Sequence, residues 1–298
     1  MVWRLVCFVW RGLERPGEPA ILPASYVTTG LRHSCDAGAG KLNLAKLVDY
    51  PETLFLFSLL LLWLAARAGA YLRRKRDDPG EGEREDLGVI VGASLTLLGL
   101  IIGFSFSMAV NRYDQRKNYE AEETNAIGTE YLRAGLLTPV EAAQVRALLK
   151  TYLDQRIGFY ETRDERRLEQ IDATTRQLQN DLWSAVRTAA AAQPAPLAAL
   201  AVAGMNDVLN SQGYTQAAWL NRIPGPAWTL MIVIAVCCNL LVGYNARSLG
   251  TKRRRFFILP IIVSIAFFMI ADMDAARRGV IMVIPHNLVS LSNSLPPP

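Results

Sequence analysis

The sequence predicts an all-α integral membrane protein, with four transmembrane helices in two hairpins and a helical extramembrane domain between them. Three features of its 298 residues carry that prediction. Hydrophobic residues make up 51% and charged residues 20%, a balance that excludes disordered and collagen-like chains. The longest apolar runs are free of charge over roughly the 20 residues a helix needs to cross a bilayer. The excess of Lys and Arg, net charge +5, gathers beside those runs, the pattern of loops flanking membrane spans rather than of a nucleic-acid-binding surface.

Residues 1–47 stand outside this pattern. Met1 to Trp10 is apolar for barely ten residues, and Arg11 and Arg15 follow without a small-residue cleavage site, a poor signal peptide. Ala20 to Gly40 is rich in Gly, Pro, Ser and Thr. Its Gly38, Gly40 and Lys41 resemble part of a phosphate loop, but Cys35 and Leu42 stand where that loop needs a glycine and a hydroxyl. The segment reads as disordered, or as an overextended start with the folded protein beginning near Val48.

The first hairpin is assigned to residues 48–110. Pro51 to Leu72 has charge only at Glu52 and Arg67, placed to snorkel, with Trp63 and Tyr71 as interfacial anchors. Leu87 to Val110 holds 24 residues without a charge. Residues 111–225 form the extramembrane domain, with helical apolar spacing and almost no strand signal. The stretch Asn111 to Arg133 has no proline, so the second span is expected to continue out of the bilayer as one rod until a break at Gly135. Thr138, Pro139 and Glu141 have the form of a capping box. Val145, Leu148, Leu149, Tyr152 and Tyr160 then mark one helix face, and Leu168, Ile171, Thr175, Leu178, Leu182 and Val186 the next. An Ala-rich tract ends at Pro194 and Pro196, and a further helix leads to Pro224 and Pro226. The second hairpin, residues 226–272, is divided by five basic residues between Asn245 and Arg255. Its last run, Phe256 to Ala271, is 16 residues long, about 24 Å at the helical rise, so it extends past Asp272 and Asp274 or stops short of the far interface. Residues 273–298 are a C-terminal tail.

Chemistry is sparse. Four cysteines and two histidines show neither zinc-ligand spacing nor a disulfide framework, and there is no nucleophile with a base or nucleotide-binding glycine loop. An enzyme, a metal and a cofactor are not expected. The carboxylates Asp114, Glu120, Glu122, Glu123 and Glu130 alternate with Arg112, Arg116, Lys117 and Arg133, the pattern of a helix face that is solvated or makes interhelical salt bridges. Gly88, Gly92, Gly99 and Gly103 repeat at four-residue steps, a helix-packing stripe. Thr96, Leu100 and Phe104 repeat beside them. In a ring of identical subunits these three would form stacked collars able to gate by dewetting.

Gly103-Phe104-Ser105-Phe106-Ser107-Met108, then Arg112-Tyr113 and Arg116, then Glu123-Thr124-Asn125-Ala126-Ile127-Gly128 and Tyr131-Leu132-Arg133 resemble the bacterial bestrophin-like family. Asp272-Met273-Asp274 with Arg277-Arg278-Gly279 is similar to that family's block after the last span, although Ala275 and Ala276 stand where Arg and Pro are usual, a departure that weakens a tight turn there. The resemblance extends from about Val48 to Leu291. It implies a relationship to bestrophins, pentameric anion channels in which a Gly-Phe followed by an Arg and an aromatic lies on the pore-lining second helix. Leu100 and Phe104 would then be neck residues, with Thr96 departing from an all-apolar collar. Arg112, Tyr113, Arg116, Glu123, Asn125, Arg133, Asp272, Asp274 and Arg278 are the polar residues the motif picks out. The expected partners are the lipid bilayer, further copies of the chain and inorganic anions, with no nucleic acid, in the bacterial inner membrane. The alternative is a non-conducting scaffold or sensor. Arg73 to Arg76 and Lys252 to Arg255 place both hairpin tips in the cytoplasm and the domain opposite, whereas the resemblance implies a cytosolic domain; the basic loops are followed here.

Overall fold

In a computed structural model of the chain, residue 48 and residues 50–74, 81–192, 196–245 and 255–296 are described. They are helical, with no strand among them, and belong to one compact unit. The expectations for residues 1–47, and for the basic residues of 75–80 and 246–254, lie outside the described residues.

Among the described residues eight helices follow in order: α1 Pro51–Arg74, α2 Glu81–Arg133, α3 Pro139–Glu161, α4 Glu165–Ala192, α5 Pro196–Leu220, α6 Gly225–Asn245, α7 Arg255–Asp274 and α8 His286–Ser294. α2 is the expected rod. Its 53 residues span about 80 Å at the helical rise. A 3₁₀ turn, Ala134–Leu136, ends it beside Gly135. α3 starts on the capping box: Thr138 Oγ1 accepts from the Glu141 amide at 3.5 Å, and Glu141 Oε2 accepts from the Thr138 amide at 3.3 Å. Pro139 follows where a missing N–H costs nothing.

Among the described residues four stretches are long and apolar enough to cross a membrane: Pro51–Arg74, Glu85–Leu136, Pro196–Asn245 and Phe257–Asp274. The ends of the spans show how the chain alternates. Arg278 lies over the Tyr50 ring at 4.6 Å, which places the start of α1 beside the turn that follows α7. At the other end Arg73 donates to the Tyr244 carbonyl at 3.2 Å, joining the ends of α1 and α6.

The expected pairing of consecutive spans is not the packing that forms. α1 lies mainly on α6 and α7, α2 touches α6 and α7 along its apolar half, and α6 meets α7 only lightly. The α1–α6 contact explains why. A Cβ on Gly69 would overlap the Leu240 carbonyl, and one on Gly243 would overlap the Ala66 carbonyl. These two glycines let the helix backbones touch, and in lipid, association depends on such close fit. Leu54, Leu62, Trp228, Met231, Phe267 and Ile270 fill the core of this bundle.

The extramembrane core is separate. Both sequence-read stripes face it: Val145, Leu149, Tyr152 and Tyr160 from α3, and Ile171, Thr175, Leu178, Leu182 and Val186 from α4 are buried. α5 packs along the outer half of α2, and α8 docks on α2 and α3.

Candidate pore-facing helix and its buried polar anchors

Among the described residues, α2 is covered on one side only. Its apolar window is 6% buried, against 33–44% for the other three spans. The covered side is Leu98, Ser105 and Ala109, then Arg116, Glu120, Glu123, Ile127 and Glu130. Gly88, Gly92, Gly99 and Gly103 are exposed, and a Cβ on any of them would meet nothing within 4 Å. The glycine stripe therefore packs on no other helix among the described residues. Thr96 is exposed, its hydroxyl donating to the Gly92 carbonyl at 3.0 Å. Leu100 and Phe104 are 53% and 64% exposed.

Where α2 leaves the apolar bundle, charged side chains tie it to the ends of α5 and α7. Arg112 Nη1 lies 3.2 Å from Asp274 Oδ1, and the same carboxylate accepts the Ile223 amide at 3.0 Å. Arg116, buried, donates to four carbonyls, of Ala218, Met273, Asn221 and Asp274, at 3.0 to 3.4 Å. These are carbonyls that helix ends leave without intrahelical partners, so one guanidinium closes two helix C-termini. Asp272 accepts the amides of Val280 at 2.6 Å and Ile281 at 2.8 Å. A Cβ on Gly279 would stand 2.5 Å from the Asp272 carbonyl oxygen. The tight turn thus forms despite Ala275 and Ala276, because Asp272 and Gly279 build it and both alanines are buried in packing.

Further out, the carboxylates divide between the two expected roles, solvated and interhelically paired. Asp114 and Glu122 are exposed, but Glu120, Glu123 and Glu130 are buried. The partners of Glu120 and Glu123 come from other helices, not from the neighbouring basic residues of α2. Glu123 pairs with Arg156 of α3, bonded at Nε and, at 3.4 Å, at Nη2. It also accepts from Tyr160 at 3.4 Å and from Thr215 of α5 at 3.1 Å. Three helices meet on one carboxylate, and burial together with that charge pushes the Tyr160 hydroxyl pKa up. Glu120 caps α8, accepting the amides of Asn287 and Leu288 at 3.0 Å each, an anion at a helix N-terminus.

Glu130 has no hydrogen-bond partner on either oxygen among the described residues, and a Cβ on Gly204 of α5 would overlap it. Burial raises its pKa to about 8, with Arg133 pulling it down and Asp207 pushing it up. Arg133 itself lies 3.7 Å from Asp207. Arg277 sits between the rings of Phe159 and Trp219, 4.3 Å from each, and donates to the Phe159 carbonyl at 2.7 Å. Burial lowers its pKa to about 10, partly offset by Asp172. Arg278 pairs with Glu165 at 2.5 Å.

The motif residues thus divide. Arg112, Arg116, Glu123, Asp272 and Asp274 are brought together as anchors, Tyr113 packs against the domain core, Arg133 and Arg278 make outer pairs, and Asn125 is exposed. Sequence reasoning missed Arg156, Gly69 and Gly243, and named Arg277 only as part of the block after the last span. Arg156 had a signal: it lies four residues from both Tyr152 and Tyr160, inside the buried stripe of α3. No group of acidic, His and Cys side chains able to hold a metal occurs among the described residues.

Four membrane-crossing helices joined through a helical domain, with the second span running out of the bundle into that domain, form an α-helical membrane protein of the bestrophin fold. A bacterial bestrophin homologue from Klebsiella pneumoniae, solved as a point variant, matches with a TM-score of 0.54 at 13% identity over 80% of this chain and 99% of that chain. A second variant from the same organism matches at 0.53 and 12% identity, over 86% and 100%. A further crystal structure of a membrane protein matches at 0.54 and 12% identity, over 82% and 98%. In sequence, residues 53–288 match the Bestrophin-like domain, and the chain belongs to that family. No curated protein matches it in sequence.

Proposed function

We propose that this chain is one subunit of an oligomeric bestrophin-type channel for inorganic anions in the bacterial inner membrane, with α2 facing the symmetry axis. The observation that carries the reading is the bare side of α2. A helix fastened by buried ionic contacts on one side, and uncovered along its glycines, Leu100 and Phe104 on the other, is unfinished within one chain. In a ring of copies, five by analogy with bestrophins, the glycine flank would admit a neighbouring helix and the Leu100 and Phe104 collars would form a dewetting constriction. The basic clusters at Arg73 to Arg76 and Lys252 to Arg255 support cytoplasmic loops and a domain on the opposite side; a cysteine at Gln155 open to an impermeant maleimide in intact spheroplasts is the matching result.

Flux from proteoliposomes tests the channel. Phe104→Ala should widen the constriction and raise anion efflux over the unsubstituted protein, with the oligomer intact. Because Glu85, Asp86, Asp114 and Glu122 are exposed on the same helix, cation flux is measured in parallel, and cation flux without anion flux would overturn the choice of ion. No flux of either sign from either protein would replace the channel by the scaffold or sensor.

A further inference from the structure

Of the buried carboxylates of α2, Glu130 alone has no donor among the described residues. Glu120 receives two amides of α8, and Glu123 the guanidinium of Arg156. Glu130 is 0% exposed, and both its oxygens stand without a hydrogen bond. A charged carboxylate is costly to hold in such a place, so the site keeps Glu130 as the neutral acid. Its ionisation is pushed up to about 8 by that burial.

A guanidinium stands beside it and is engaged elsewhere. Gly204 of α5 fixes the arrangement: a Cβ there would overlap Glu130 Oε2 and would stand 2.6 Å from Arg133 Nη1. Carboxyl and guanidinium therefore share the space of one missing side chain. Arg133 also follows Glu130 by three residues, the spacing at which side chains meet along a helix. Yet the ion-pair partner of Arg133 is Asp207 of α5, at 3.7 Å, longer than a hydrogen bond, with the two side chains 32% and 65% exposed. Such a solvated pair is loosely held, and a buried anion one helical turn away competes for the same cation.

The surroundings leave that competition to three groups. Arg133 and Asp207 are the charges that act on Glu130. Arg146 of α3 donates to the Tyr131 carbonyl at 3.1 Å and lies over the Tyr131 ring. The turn Ala134–Leu136 carries no charge. Arg187 of α4, which the Gln179–Gln212 hydrogen bond between antiparallel α4 and α5 sets level with Gly204, is exposed.

We propose that Glu130, Arg133 and Asp207 form a proton-operated switch at the outer end of α2. With the proton on Glu130, Arg133 belongs to Asp207 and ties α2 to α5 at the surface. When the proton leaves to water, the carboxylate draws Arg133 inward over Gly204, and Asp207 loses its partner. The buried site thus holds a neutral acid in one state and an ion pair in the other, never a lone charge. The switch stands whether or not the protein conducts.

Electron cryo-microscopy of the full-length protein at pH 6 and pH 9.5 reads it directly. The Arg133 guanidinium should lie on Asp207 at pH 6 and on Glu130 at pH 9.5, and in Glu130→Gln it should stay on Asp207 at both. Arg133 on one partner at both pH values in the unsubstituted protein, or the same movement in Glu130→Gln, would overturn the switch. Infrared difference spectra between the two pH values follow the proton itself. Raising the pH should remove a protonated-carboxyl band that Glu130→Gln lacks from the start; if both proteins give the same difference spectrum, Glu130 does not carry the proton and the proposal fails.

Discussion

Two sets of glycines in this molecule do opposite things. Gly69 and Gly243 lie where α1 and α6 touch backbone to backbone, and neither has room for a single added carbon. Gly88, Gly92, Gly99 and Gly103 show the stronger sequence repeat, yet each faces open space among the described residues. The first contact is finished inside one subunit; the second surface is not. Small-residue spacing on a membrane helix thus marks where a backbone can approach, while only the tertiary structure says whether the approaching helix belongs to the same chain.

The comparison can be broken most severely at the closed contact. Gly243→Leu should force α1 and α6 apart, at a cost above the about 1–3 kcal/mol usual for core overpacking, because the obstacle is a carbonyl rather than a mobile side chain. No monodisperse protein should be recovered, and a normal chromatographic profile would refute the contact. The next largest effect lies in the extramembrane core. Arg156→Ala leaves the Glu123 carboxylate buried and should cost about 3–5 kcal/mol, seen as a lower melting temperature; combining Arg156→Met with Glu123→Gln should recover much of that loss.

On the open side the effect should move from folding to assembly. Gly99→Leu should leave subunit melting unchanged and reduce the oligomer, since nothing in the chain meets the new side chain. If Gly99→Leu unfolded the subunit as Gly243→Leu should, the distinction between the two surfaces would be lost. The smallest effect concerns Glu130. Its carboxyl ionises near 8 in the folded chain and near 4.5 ordinarily. Between those values the folded state holds a proton that the unfolded state has released, so stability falls as pH rises through the window and the loss is complete above about 8. Glu130→Gln should melt above the parent at pH 9, and the gap should close toward pH 4.5. A gap independent of pH would show that Glu130 does not titrate there.

Much of the architecture was legible in the residues. The four apolar stretches, the unbroken α2, the stop beside Gly135, the capping box at Thr138 and the buried faces of α3 and α4 follow from local rules, since a helix's length, ends and apolar side depend on residues within a few turns of one another. The polar anchors were legible only in part. Asp272 and Asp274 stood out as acids at the end of an apolar run, but nothing along the chain links Asp274 to Arg112, or Glu123 to Arg156, because those partners lie on other helices.

The amino-acid sequence by itself determined that this is an all-helical membrane protein of the bestrophin-like family with a helical domain between its spans. Hydrophobic length and helical periodicity are properties of short segments, and the family motif is written in consecutive residues. Only the tertiary structure decided which spans pack together, which carboxylates lose their water and which side of α2 stays uncovered. Those outcomes depend on backbone approach at Gly69 and Gly243, and on buried charges finding donors from distant helices. Such fits exist only once several helices are in place at the same time.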